Sequence, residues 1–253
     1  MRRKLAAGNW KMNGTESALV QAKALAAAFP APQCDIVLCP PFTLLREMAV
    51  LCDGAAVAVG GQDCHEQLSG AYTGDISARM LADGGAHYVI VGHSERRDMH
   101  HETDAQVAAK TKAAWAAGLT AIVCIGESAA QRAEGKTLEV IGAQMQASIP
   151  DGAKGGILVV AYEPIWAIGS GQTPTNAEIA EVHAFMRRQL EQRFGARIAN
   201  AVRLLYGGSM TPANATEIAQ IDNVDGGLVG GASLLAKDFI QIVGALNKLP
   251  EAG

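Results

Sequence analysis

Aromatic side chains make up only 5% of this 253-residue chain, so its interior must be aliphatic, and 49% of its positions are hydrophobic. That content excludes a disordered chain and allows a large core. Long apolar runs are missing as well; none approaches the roughly 20 residues that a membrane helix needs. Charge is sparse and nearly balanced, with a formal net charge of −4 and no basic block beyond Arg2-Arg3-Lys4. Neither a nucleic-acid nor a membrane partner is expected. Those three basic residues precede an apolar stretch too short for the core of a secretory signal. Cysteine is too irregular for a scaffold: the five stand at 34, 39, 52, 64 and 124, odd in number and with no CxxC pair. Structural zinc and a disulfide framework are poor readings, and free buried thiols in a reducing cytoplasm are expected instead.

What is present is a repeated pattern of short apolar runs with helical segments between them. The runs are Leu5–Gly8, Ile36–Cys39, Val57–Gly60, Tyr88–Gly92, Thr120–Ile125, Ile157–Ala161, Val202–Tyr206 and Gly226–Gly230. They are continuous rather than alternating, as parallel strands covered on both faces should be. Between them, helical spacing predicts Ser17–Phe29, Pro41–Leu51, Ile76–Leu81, turns through Trp115, and Leu138–Met145. It continues with Asn176–Phe194, whose apolar face is Ile179, Val182, Met186, Leu190 and Phe194, then Pro212–Ala219. Last comes Leu234–Leu246, with Leu235, Phe239, Ile242 and Leu246 on one side. Eight strand-helix units in this length predict one α/β domain, residues 1–253, folded as a closed (β/α)8 barrel. No linker divides the chain, and no glycine fingerprint of an open dinucleotide-binding sheet follows the first strand.

In such a barrel the loops after the strands converge on one face. The chemistry-bearing residues at those positions are Asn9 and Lys11, His93 and Glu95, and Glu163. Glu163 is followed by Pro164, which disfavours helical geometry before it, and then by a segment with Trp166, Ile168, Gly169 and Gly171 that can hinge over the carboxylate. Lys11 read alone is a rim lysine as readily as a site residue, and a single histidine is more often structural than catalytic. If Ser94 opens a helical turn, however, backbone amides can donate to one nitrogen of His93 and favour a neutral ring. Glu95 is either a helix-start carboxylate or a partner for Lys11.

Gly207-Gly208-Ser209 and Gly230-Gly231 follow the last two runs, where barrels of this kind often bind phosphate through backbone N–H groups. A single Gly-Gly would mean a tight turn, but two in these positions favour phosphate. Neither matches a nucleotide-binding GxxxxGK[ST] loop. Glutamate, histidine, lysine and a phosphate cradle together point to proton transfer next to a carbonyl on a small phosphorylated molecule, with no metal cluster or cofactor fingerprint.

Five stretches carry a resemblance that runs through essentially the whole chain: Gly8-Asn9-Trp10-Lys11-Met12-Asn13, Gly92-His93-Ser94-Glu95-Arg96-Arg97, Ala161 to Gly169, Tyr206-Gly207-Gly208-Ser209 and Gly230-Gly231. In order and spacing they resemble the triosephosphate isomerase family. The resemblance implies cofactor-free interconversion of dihydroxyacetone phosphate and D-glyceraldehyde 3-phosphate. It makes Glu163 the base, His93 a neutral electrophile and Lys11 the cation beside the substrate oxygens. Asn9 then binds substrate, Glu95 supports Lys11, and Gly169, Ser209, Gly230 and Gly231 hold the phosphate. A lid runs through Pro164, Ile165, Trp166, Ala167, Ile168, Gly169, Ser170, Gly171, Gln172, Thr173 and Pro174. The family is usually a homodimer, so the loop from Gln62 to Gly74 is expected at an interface, with Thr73 approaching the neighbouring active site.

Two departures stand out. Asp63 occupies a place where asparagine is common, so an interface hydrogen bond is expected to have changed partner. Pro174 replaces an alanine whose N–H bonds the tyrosine matched by Tyr206, and proline has no N–H to give. Two other readings compete: a different phosphate-binding barrel, such as an epimerase or a Schiff-base lyase using Lys11, and a barrel kept only as a binding module. Glu163 beneath a lid fits proton abstraction better than the first. Asn9, Lys11, His93 and Glu163 together weigh against the second.

Overall fold

The computed structural model describes residues 2–168 and 173–248. Its centre is a closed barrel of eight parallel strands in sequential order. They are β1 (Leu5–Asn9), β2 (Asp35–Cys39), β3 (Val57–Gly61), β4 (Tyr88–Val91), β5 (Thr120–Ile125), β6 (Leu158–Tyr162), β7 (Arg203–Tyr206) and β8 (Gly226–Val229). The ring closes where β1 pairs β8, with Leu5 opposite Gly226 and Gly8 opposite Val229.

Successive residues of a strand face opposite sides of the sheet. One set, including Leu5, Ala7, Val37, Cys39, Ile90, Ile122, Cys124, Val159, Ala161, Leu205 and Leu228, fills the barrel interior. The alternate set, such as Ala6, Leu38, Val91, Val123 and Val160, packs outward beneath the helices. Both faces are dry, which is why the runs read as continuous.

The helices follow the expected pattern with shifts at their ends. Asn176–Phe194 has the predicted bounds and opens on a capping box between Thr175 and Glu178. Ile179, Val182, Met186 and Leu190 are buried, and Phe194 is half-buried. The last helix, Ala236–Asn247, starts later than expected. Leu235 therefore sits before it in extended geometry and is 44% exposed, not on the apolar face with Phe239, Ile242 and Leu246. The sixth strand is displaced by one residue, ending at Tyr162, so Glu163 follows it directly. Two short helices, Ala129–Ala133 and Ala196–Ala199, had no apolar periodicity to announce them.

Candidate functional site

The strand period aims the site. Along β6 the inward positions are Val159 and Ala161, so Glu163 is next on the inner side. Asn9 continues Leu5 and Ala7 in the same way; Gly207 continues Leu205, and Gly230 continues Leu228. At the mouth these groups line a cavity of about 290 Å³ together with Lys11, His93, Ile168, Gly208, Ser209, Met210 and Gly231. A larger hollow, about 990 Å³, lies at the opposite end around the starts of β2, β3 and β4. Size does not mark the reactive site; converging polar groups do.

Glu163 is 1% exposed. The Ser94 N–H donates to its Oε2 at 3.0 Å and the Ser94 hydroxyl to its Oε1 at 3.2 Å. His93 Nε2 lies 3.0 Å from the same Oε1. Burial alone would push the Glu163 carboxyl up, but His93 and the Ser94 donors outweigh it and hold the pKa below the usual range. The carboxylate is thus parked as an anion.

His93 reaches Glu163 because the chain turns sharply at Gly92, whose φ of +67° suits glycine. It then caps the helix Ser94–Met99, and the Glu95 N–H donates to its Nδ1 at 3.2 Å. An accepting Nδ1 leaves the proton of a neutral ring on Nε2, facing Glu163. Burial pulls the His93 pKa down, yet the adjacent Glu163, with Glu95 adding, moves it above its ordinary value. That upward push lasts only while Glu163 rests there.

Lys11 has a φ of +54°, a left-handed conformation uncommon outside glycine. Two side chains hold it: Asn9 Oδ1 accepts the Lys11 N–H at 3.0 Å, and Gln62 donates to the Lys11 carbonyl at 2.8 Å. Its ammonium pairs with Glu95 Oε1 at 2.5 Å, the partnership expected for Glu95.

The glycines have two different jobs. A Cβ on Gly207 would meet the Glu163 Cγ at 2.9 Å, and one on Gly208 would collide with the Tyr206 hydroxyl, so packing demands both. A Cβ on Gly231 would meet nothing within 4 Å, and on Gly230 only the end of Lys11. These two keep the backbone bare toward open space, as an anion cradle needs. The Ser209 hydroxyl donates to Ala167 O at 3.0 Å, tying the turn after Glu163 to the same cavity.

Of the expected lid, Pro164 and Ile168 flank a 3-10 turn, Ile165–Ala167. Gly169, Ser170, Gly171 and Gln172 lie outside the described residues. Thr173 is exposed and Pro174 buried. The Tyr206 hydroxyl is buried without a hydrogen-bond partner among the described residues. Within the chain Asp63 pairs with Lys110 at 2.8 Å and with Arg96 at 2.9 Å. Among the described residues no group of three or more His, Cys, Asp or Glu is placed to hold a metal ion.

Three residues hold the site in ways the sequence reading did not give them. Gln62 stands just beyond β3, Ser94 just beyond His93, and Glu127 two residues past β5, where it accepts from Tyr162 and Trp166. Their positions after strands, the rule that found Lys11, were the available signal.

Comparison with known proteins agrees with this geometry. The family profile of triosephosphate isomerase matches residues 4–246. The triosephosphate isomerase of Ruegeria pomeroyi is 60% identical over 248 residues, spanning 98% of this chain and 99% of that one. That of Dinoroseobacter shibae is 59% identical over 247 residues, spanning 98% and 100%. The crystal structure of triosephosphate isomerase from Bartonella henselae superposes with a TM-score of 0.92 at 45% identity, covering 97% of this chain and all of that one. With this fold and this matched length, the chain belongs to the triosephosphate isomerase family and interconverts dihydroxyacetone phosphate and D-glyceraldehyde 3-phosphate through an enediol(ate).

Proposed function

We propose that Glu163 is the base, His93 and Lys11 the groups that stabilise the enediolate, and Ser209, Gly230 and Gly231, with Gly169, the phosphate cradle. The observation that carries this reading is the parked carboxylate: a buried anion on the wall of the cavity that Lys11 and the bare glycines also line. While Glu163 rests on Ser94 and His93 its charge is stabilised. Turning toward substrate, it leaves those donors but stays buried, so its proton affinity rises as it meets the substrate C–H. Relieved of Glu163, the His93 Nε2–H faces the carbonyl oxygens of the substrate. Lys11 offers a positive charge to the same oxygens. Pro164 to Pro174 form the lid in this reading, and its closure onto Tyr206 lacks the N–H that Pro174 cannot supply.

The assembly proposed is a homodimer. Met12, Phe42, Leu68, Tyr72, Met80 and Met99 are large apolar residues left 44% to 96% exposed on the loops and helices after β1 to β4. Thr73 is exposed on the same loop, which is braced by His65 stacked on Tyr72 at 4.1 Å. The five free, buried cysteines fit a cytoplasmic setting.

A coupled assay with each triose phosphate, run with a chelator present, tests the reaction; absent turnover or strict metal dependence would overturn it. Imidazolium at His93 in a phosphate-analogue complex near pH 7, seen by NMR, would remove its proposed role. Sedimentation of a monomer at micromolar concentration would remove the dimer.

A further inference from the structure

We propose that Arg132 is a positioning residue for this reaction, fixing the wall of the substrate cavity through Trp166; the proposal rests on the isomerase reading. Arg132 lies on the short helix Ala129–Ala133 that follows β5. Its guanidinium carbon stands 4.1 Å from the centroid of the Trp166 ring, where a cation is drawn to the face of an indole. The same guanidinium forms an ion pair with Glu178, in the first turn of the helix Asn176–Phe194. Glu178 is itself held by the capping box, accepting the Thr175 N–H at 2.7 Å, so the arginine is anchored to a fixed support.

Trp166 is gripped in two directions. At its edge, Nε1–H donates to the buried Glu127 Oε1 at 2.9 Å. On its face lies Arg132, whose Nη1 is 3.9 Å from that same oxygen. One hydrogen bond defines an axis about which a ring can still rotate, and the facing guanidinium removes that freedom. Trp166 is the middle residue of the turn Ile165–Ala167. The turn continues to Ile168, which lines the cavity beside Gly208, Ser209, Gly230 and Gly231. Arg132 therefore governs the wall at the end of the cavity assigned to phosphate. Through Glu178 it also ties the turn before residues 169–172 to the helix after them.

Glu163 is held separately, by Ser94 and His93. Loss of Arg132 should accordingly act on substrate binding more than on the chemical step. The test is Arg132→Gln and Arg132→Lys, with kcat and KM measured for D-glyceraldehyde 3-phosphate, inhibition by inorganic phosphate, and thermal melting alongside. In Arg132→Gln, KM is expected to rise about three- to fivefold with kcat held, the scale of one cation–π contact. Phosphate inhibition should weaken by the same factor. Lysine keeps the charge but not the planar face, so Arg132→Lys should restore only part of the loss. A lower melting temperature with KM unchanged would reduce Arg132 to a structural residue and overturn the proposal. So would a fall in kcat at constant KM. Turnover by the unsubstituted protein in the same assay separates either failure from a failure of the isomerase reading itself.

Discussion

The two ends of the barrel both bury charge, but they treat it differently. At the base, Asp225 stands just before β8, fully buried, and accepts from Arg2 at 2.9 Å, Arg187 at 2.9 Å and the Leu204 N–H at 2.9 Å. Lys4, just before β1, donates to the carbonyls of Ala219 and Val224 at 3.0 and 2.6 Å. Each of these buried charges is answered by a fixed neighbour. At the mouth, Glu163 rests on Ser94 and His93, but Lys11 is 28% and Glu95 41% exposed at the side chain, and the three catalytic candidates, Lys11, His93 and Glu163, face an open cavity. Closed networks confer stability. Open ones leave charge free to be rearranged around a ligand.

The contrast is sharpest at Glu163. Glu163→Gln should lower kcat by about 10³-fold or more while leaving the melting transition near that of the parent, since an amide keeps the shape but cannot act as base. Activity that survives would dissolve the distinction between the ends. Asp225→Ala is the mirror experiment. It leaves Arg2 and Arg187 buried without their carboxylate and should cost about 3–5 kcal/mol in urea unfolding, with kcat/KM of the folded protein little changed.

The histidines of the two ends should titrate with opposite sign. His183 is buried and its pKa is lowered to about 4, chiefly by burial. Its contribution is complete above the unfolded value near 6.5 and is lost as pH falls toward 4, about 3 kcal/mol in all. His93 is raised, so its contribution is complete below 6.5 and disappears as pH rises through its folded value. Unfolding measured against pH should show His183→Gln flattening the acid limb and Glu163→Gln removing the upward His93 shift. The smallest effect expected is at Tyr206. Its hydroxyl has no partner among the described residues, so Tyr206→Phe should change stability by less than about 0.5 kcal/mol. A large loss of stability or turnover would mean that the hydroxyl does have a partner in the working enzyme.

Much of this was legible in the chain. The strand β5 fell on the predicted residues because an apolar run bounded by glycine and polar residues has little other use in a barrel. Lys11, His93 and Glu163 were visible because a strand end fixes where a side chain goes. What could not be read was who holds whom. Ser94 and Glu163 are 69 residues apart, and nothing local to either predicts that the Ser94 N–H will park the carboxylate. Leu235 went astray for a related reason: a helical period cannot tell where the helix begins, and one extended residue removes it from the face.

The seam of the barrel gives one last consequence. The first strand and the last meet at β1 and β8, and Lys11 beyond one touches the space over Gly230 beyond the other. At the base the same seam is clasped by Arg2 on Asp225. A chain released from the ribosome, or refolding from denaturant, can build most of its strand pairs before these two partners are joined. Catalysis cannot begin until they are. Enzyme activity is thus a built-in gauge of completed folding: it records the joining of the chain's two ends, a step that secondary structure alone would barely register.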